Sequence, residues 1–454
     1  MRATILCGAL LPLALAAATA RADFNAALAD YKAGHYDSAR RQFTAMGELG
    51  DCSSQYNLGM MMLAGQGGAK DVGTGIGWLQ AATSNGCQEL VGSRVTALQG
   101  ALSPEEERRA ADIMSRYGHD ALHVLGIVEP ELSCRGRVPA AARQSPAPEY
   151  PASANHRNGL VVGQLTIGVD GHARDPQILL AVPDEAFAAA AVDAWLHSRF
   201  APATLEDGPV ESRLQVRVVF TTTGAEELWN TATYKEARAA AEAGDPAGGY
   251  LVGLAATADS SLGMGAVRGT QLVILAARDG YPRAQYWLGM QLRALRDCHP
   301  QSDGSAWLRH AAAGGDAGAQ LMLATDLASG SPTEAQLSEA RALLGQAASS
   351  DDYYVRKHVV ALLAAAPQAA LRDQALAREV AAKLSVGGFH ADPQMFEVLA
   401  AAAAAGGDFA SAVSQQELAL RKAHDLAWHT RAMEERLASY KGGKAWQGEL
   451  LAAP

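Results

Sequence analysis

Residues 307–323 read Trp-Leu-Arg-His-Ala-Ala-Ala-Gly-Gly-Asp-Ala-Gly-Ala-Gln-Leu-Met-Leu, and the chain has already used this phrase twice. Leu275-Ala276-Ala277 and Gly280 lead into Ala284-Gln285-Tyr286-Trp287-Leu288-Gly289. Far upstream, Gln55-Tyr56-Asn57-Leu58-Gly59 is followed by a bend at Gly65, Gly67 and Gly68, then by Trp78-Leu79-Gln80-Ala81-Ala82 and Gly86-Cys87. Gln320 follows Gln285 by 35 residues, as Ala311 follows Ala276 and Cys87 follows Cys52. A period of this length, with apolar residues at helical spacing and glycine closing each second helix, describes stacked helix-turn-helix units. The alanines let helix backbones approach, and Leu, Tyr and Trp fill the grooves beside them.

These phrases resemble the Sel1-like repeat family, with its A-x-Q-x-x-L-G opening and W-x-x-x-A-A-x-x-G close, best at 52–87 and 269–324. Gly34-His35-Tyr36-Asp37-Ser38-Ala39 and Gly407-Asp408-Phe409-Ala410-Ser411-Ala412 resemble the turn and second-helix start of a tetratricopeptide-like unit and are candidate caps of two arrays.

Between the arrays the period changes. Residues 130–151 carry five prolines (Pro130, Pro139, Pro146, Pro148, Pro151) and read as an extended linker. Val161, Leu165, Ile167 and Val169 alternate with Gln164, Thr166 and Gly168, which predicts a strand; Asp170-Gly171 turns it into a second strand over 174–181. Pro183-Asp184 starts a helix with Phe187, Ala191 and Trp195 on its apolar face. A last strand, 213–222, turns Leu214, Val216, Val218 and Phe220 inward and Arg213, Gln215 and Arg217 outward. The fold class expected is mainly α, with an inserted β-β-α-β module of the α+β class.

The order Tyr150-Pro151, Gly159, Gly163, Val169-Asp170-Gly171, Phe187, Ala190-Ala191, Arg199-Phe200-Ala201-Pro202-Ala203, Asp207-Gly208-Pro209-Val210 and Phe220 resembles the C-terminal domain of TonB. The resemblance implies a sheet edge that accepts an extended peptide by strand addition, with Arg213, Gln215, Arg217, Val219 and Thr221 as the binding strand. The competing reading makes Arg213 and Arg217 charges that guard the edge against pairing.

The expected organisation is a signal peptide at 1–22, helical repeats at 23–128, the linker at 129–149, the TonB-like module at 150–224 and further repeats at 225–454. Arg2, the apolar run 3–20 and the exit Ala20-Arg21-Ala22 make the secretory signal; an uncleaved anchor is the rival, disfavoured by Pro12 and the small-residue exit. Thr4-Ile5-Leu6 before Cys7 does not suit lipidation. Export places the chain in the periplasm and leaves Cys52, Cys87, Cys134 and Cys298, for which three disulfide connectivities exist. Equivalent positions in stacked repeats favour Cys52 with Cys87, and Cys134 with Cys298 would then join the arrays.

A net charge of −10 with scattered basic residues argues against nucleic acid as a partner. No S-x-x-K, G-x-S-x-G, H-E-x-x-H or Walker loop occurs, so neither catalytic residues nor cofactors are expected. His119 and His123 share a helix face but lack a third ligand. The expected function is a periplasmic scaffold for envelope proteins or extended peptides. The alternatives are a TonB-like energy transducer, for which only a short linker and no C-terminal placement of the module are available, and an enzyme acting on cell wall or β-lactams.

Overall fold

Three devices recur among the helical hairpins, not all of them in each. An aspartate caps the first helix: Asp51 accepts from the Ser54 amide at 2.6 Å, Asp245 from Gly248 at 3.1 Å and Asp316 from Ala319 at 2.8 Å. A buried glutamine then ties that helix to the end of the one before it, Gln55 donating to the Gly47 carbonyl at 2.8 Å, Gln285 to Ala277 at 3.1 Å and Gln320 to Ala312 at 3.4 Å. Finally, two glycines let the paired helices touch. A Cβ on Gly59 would lie 2.8 Å from the Gly75 carbonyl, and one on Gly253 would lie 2.7 Å from that of Gly269, so larger side chains would force the pair apart.

The computed structural model describes residues 24–92, 102–206, 208–259, 264–384 and 388–451; the expected signal peptide at 1–22 lies outside the described residues. Helices Phe24–Lys32, Tyr36–Gly47, Cys52–Ala64, Val72–Ser84 and Pro104–Tyr117 stack in the N-terminal array. Helical hairpins return at Ala232–Glu242 and run to Arg431–Lys441. Among the described residues no helix is long and apolar enough to cross a membrane. Cys52 is bonded to Cys87 and Cys134 to Cys298, with Cα atoms 5.6 and 5.7 Å apart.

The fold is thus mainly α with an inserted α+β module. Its strands are β1 (Ala141–Gln144), β2 (Gly159–Ile167), β3 (Ala173–Val182), β4 (Arg199–Ala201), β5 (Ala203–Leu205), β6 (Gly208–Val210) and β7 (Ser212–Phe220), with the module's helix at Ala188–Leu196. The main sheet is antiparallel in the order β3-β2-β7, and β1 pairs with β4 and β5 with β6. Two expectations need correcting. Val169 lies past the end of β2 and is 57% exposed, because the chain has already entered the Asp170-Gly171 turn. The Pro-rich stretch is not a free linker: it supplies β1, pairs Val138 with Thr204, bonds Cys134 to Cys298, and sets Arg137 on the Ala294 carbonyl at 2.7 Å.

Both faces of the sheet are covered. On one, Val161, Leu165 and Ile167 meet Phe187, Ala191, Trp195 and Phe220. Gly163 is needed there, since a Cβ would sit 2.6 Å from the Trp195 ring. On the other, Leu160, Val162 and Leu179 share a core with Tyr250, Leu254, Val273 and Trp287 of the C-terminal array. That core continues into Leu49, Leu122 and Val128 of the N-terminal array, where Trp307 donates to the Gly126 carbonyl at 3.1 Å. At roughly 2–3 kcal/mol for each large apolar side chain removed from water, this second face is a major source of cohesion. The module and the C-terminal array are thus joined by one shared core.

Candidate functional site

Strand β7 is built by alternation, and its two faces have different fates. Leu214, Val216 and Val218 turn towards the module's apolar core, ending in Phe220, whose ring lies 5.0 Å from that of Phe187. The opposite residues were expected to point into solvent, and the first two do not. Arg213 lies over the Tyr354 ring at 5.6 Å and donates to Gln177 Oε1 at 3.2 Å. Burial works against its charge, and Tyr354, Tyr286 and Asp175 outweigh that and hold its pKa above the ordinary value. Gln215 donates to Thr257 Oγ1 at 2.9 Å and accepts from Trp287 Nε1 at 3.4 Å. Helices Pro246–Ala258, Pro282–Arg293 and Tyr353–Ala365 thus claim this end of the strand. Further along, Arg217 and Thr221 are exposed and Val219 is 40% exposed.

The edges of the sheet differ as sharply as the faces. β7 pairs with β2 in unbroken register from Gly159–Phe220 to Ile167–Ser212, and among the described residues no backbone hydrogen bond joins its outer side to another element. A straight strand of this length with unpaired main-chain groups is a template for a further strand.

β3 carries two register breaks, between Val162 and Gly163 and between Gln164 and Thr166 of its partner, and Asp175 has a φ of +52°. Two of its main-chain groups are taken by side chains of the array: the Asp175 amide donates to Gln394 at 3.2 Å, and Arg283 reaches the Ile178 carbonyl at 3.3 Å. Beneath it lies a buried ionic cluster. Lys357, 0% exposed, meets Asp392 at 2.9 Å, Gln394 at 3.0 Å and Asp175 at 3.1 Å; Tyr353 donates to Asp392 at 2.8 Å, and His358 lies 2.7 Å from Asp175. Burial alone would raise the Asp175 pKa, but His358 and Lys357 reverse the effect and hold it well below the carboxylate range. Sequence reasoning missed this cluster, since Lys357 and Asp392 belong to different hairpins; the signal that was there is Asp392 in the capping position before Pro393.

Residues 146–222 match the family model of the Gram-negative bacterial TonB protein C-terminal. The TonB C-terminal match covers the central module and neither helical array, and compared with curated proteins the chain has no match. Members of that family work in the Gram-negative envelope, and the two disulfides of this chain point to an oxidising compartment. His119 and His123 stack with ring centroids 6.1 Å apart, and among the described residues no group of three or more metal-ligating side chains gathers.

Proposed function

We propose that the chain is a periplasmic interaction scaffold whose TonB-like module accepts an extended peptide, from an envelope protein, along the outer edge of β7. The observation that carries this reading is the asymmetry of the sheet: β3 is bulged and bonded to the array, while β7 is straight and its outer side unbonded. In strand addition the main chain supplies affinity and alternate side chains supply selectivity. Arg217, Val219 and Thr221 are the side chains available for the second task. Arg213 and Gln215 instead fix β7 to the array, which holds the edge rigid and lowers the ordering cost of pairing. The arrays serve as a frame, because the C-terminal one shares a core with the module.

The test is affinity selection from a pool of random nonapeptides, followed by alternate N-methylation of the selected peptides. Pairing with β7 predicts that methyl groups in one phase abolish binding and those in the other phase leave it intact. Equal tolerance of both phases, or no selection from the pool, would overturn the reading.

A further inference from the structure

Beside the start of β7 lies a cavity of about 410 Å³, between the strand, the end of helix Pro282–Arg293 and the stretch 132–140. Its walls are mostly apolar, with Leu132, Pro139, Ala140, Ala203, Leu214 and Leu295 among them. Ala140 and Ala203 belong to the core under one face of the sheet and Leu214 packs against it, whereas Leu132 packs against the core of the other face. The cavity is thus a notch where both cores reach the border of β7. Leu132, Leu214 and Leu295 are only half-buried there. The two arginines beside it are already held: Arg137 donates to the Ala294 carbonyl at 2.7 Å, and the Arg213 side chain leaves for Gln177 and the Tyr354 ring on the far side of the sheet. What remains is a hollow suited to an apolar group.

Three ties fix the outer wall. Cys134 is bonded to Cys298, Arg137 grips the end of helix Pro282–Arg293, and Val138 pairs with Thr204. A wall held in place before binding loses little freedom when a ligand settles against it, which favours affinity. That wall is also this chain's own addition to the module. The stretch 132–140 and helix Pro282–Arg293 both lie outside residues 146–222, the part that matches the TonB C-terminal family.

Strand geometry identifies the occupant. A guest paired with the outer side of β7 lies about 4.8 Å from it, in front of the hollow that Ser212, Arg213 and Leu214 border. Residues directly opposite one another on paired strands turn to the same face, with their Cβ atoms about 5 Å apart. The guest residue opposite Leu214 therefore turns towards Ala140 and Ala203. We infer that the hollow is a subsite for one large apolar side chain, aromatic or branched aliphatic, at that position of the guest, so that the module selects extended peptides by an apolar anchor at the start of β7. This rests on the strand-accepting reading above and adds to it a position and a side-chain class.

The experiment uses the full chain and nonapeptides selected from a random pool, each then remade with its apolar residues changed to alanine one at a time. At a single position the change should weaken binding about tenfold or more, the worth of one buried apolar side chain. Leu132→Asp charges the hollow and Ala294→Trp fills it. With the fold of each variant checked by circular dichroism, either should reduce that difference to less than about threefold while the alanine peptide binds as it does to the native chain. A benzophenone side chain at the same position should crosslink to the stretch 132–140 or to the end of helix Pro282–Arg293. Absence of any such position, or a difference that survives in both variants, would overturn the apolar subsite and leave the strand-accepting edge standing. Apolar peptides whose capture ignores the phase of N-methylation would overturn the edge and, with it, this placement.

Discussion

The central sheet has two borders of almost equal length, β3 with ten residues and β7 with nine, and the protein treats them in opposite ways. β3 is broken by bulges, its amide and carbonyl groups are taken by Gln394 and Arg283, and a buried lysine draws Asp175 and Asp392 together beneath it. β7 keeps an unbroken register, reaches the array with Arg213 over the Tyr354 ring and Gln215 on Thr257, and among the described residues makes no backbone hydrogen bond on its outer side. Here the surrounding repeats close one of them and brace the other.

The largest effect is expected where the brace is covalent. Replacing Cys134 and Cys298 by serine opens a loop of 164 residues and should cost about 5 kcal/mol in the chain-entropy account, against about 4 kcal/mol for the 35-residue Cys52–Cys87 loop. Denaturant unfolding of the two double variants ranks them. Peptide selectivity at the start of β7 should deteriorate only in the first.

Lys357→Met attacks the closed border. It leaves Asp175 and Asp392 buried without their cation and should cost about 4 kcal/mol, measured by the same unfolding curves. Adding Asp392→Leu should recover part of the loss. Full stability in the single variant would break the comparison, because β3 would then not depend on its ionic seal.

Acid distinguishes the borders more gently. Burial opposes the charge of Asp170, but the Arg174 guanidinium and the His172 amide outweigh it and hold the carboxyl down at about 2; Asp175 is depressed as well. A carboxyl depressed in the native state stabilises fully above its unfolded value near 4, and that stability disappears as pH falls towards the native value. Asp170 alone accounts for about 2 kcal/mol, lost between roughly pH 4 and pH 2. Unfolding curves against pH should show this limb, and Asp170→Asn should flatten it.

The smallest effect on stability belongs to the open border. Arg217→Glu and Val219→Thr alter exposed side chains and should change stability by less than about 0.5 kcal/mol, while shifting which peptides are selected.

Much of this was legible in the chain. The repeat phrase carries its own physics: Gln55, Gln285 and Gln320 make the same bond, and Asp51 and Asp316 make the same cap. The Cys52–Cys87 disulfide follows from the arithmetic of the repeat, and Cys134–Cys298 was the pair then left over. Alternation read over 161–169 and 213–222 was strong enough to place two strands and their inner face, which the structure sets at 159–167 and 212–220. The outer face was not legible, because alternation tells a solvent face from an apolar core but not from a polar contact with another unit; Arg213 and Gln215 look hydrophilic and are held by Gln177, Thr257 and Trp287. The short strands β1 and β4–β6 sit among prolines and glycines that favour turns, and only their pairing with one another makes them strands.

Residue-resolved amide hydrogen exchange measures the accessibility of β7's main chain directly. Alternate amides of β7, those turned away from β2, should exchange close to the rate of an unstructured chain, while the Asp175 amide on β3 stays protected. Protection of every β7 amide at the level of β3, in the absence of any peptide, would mean that this border is closed too.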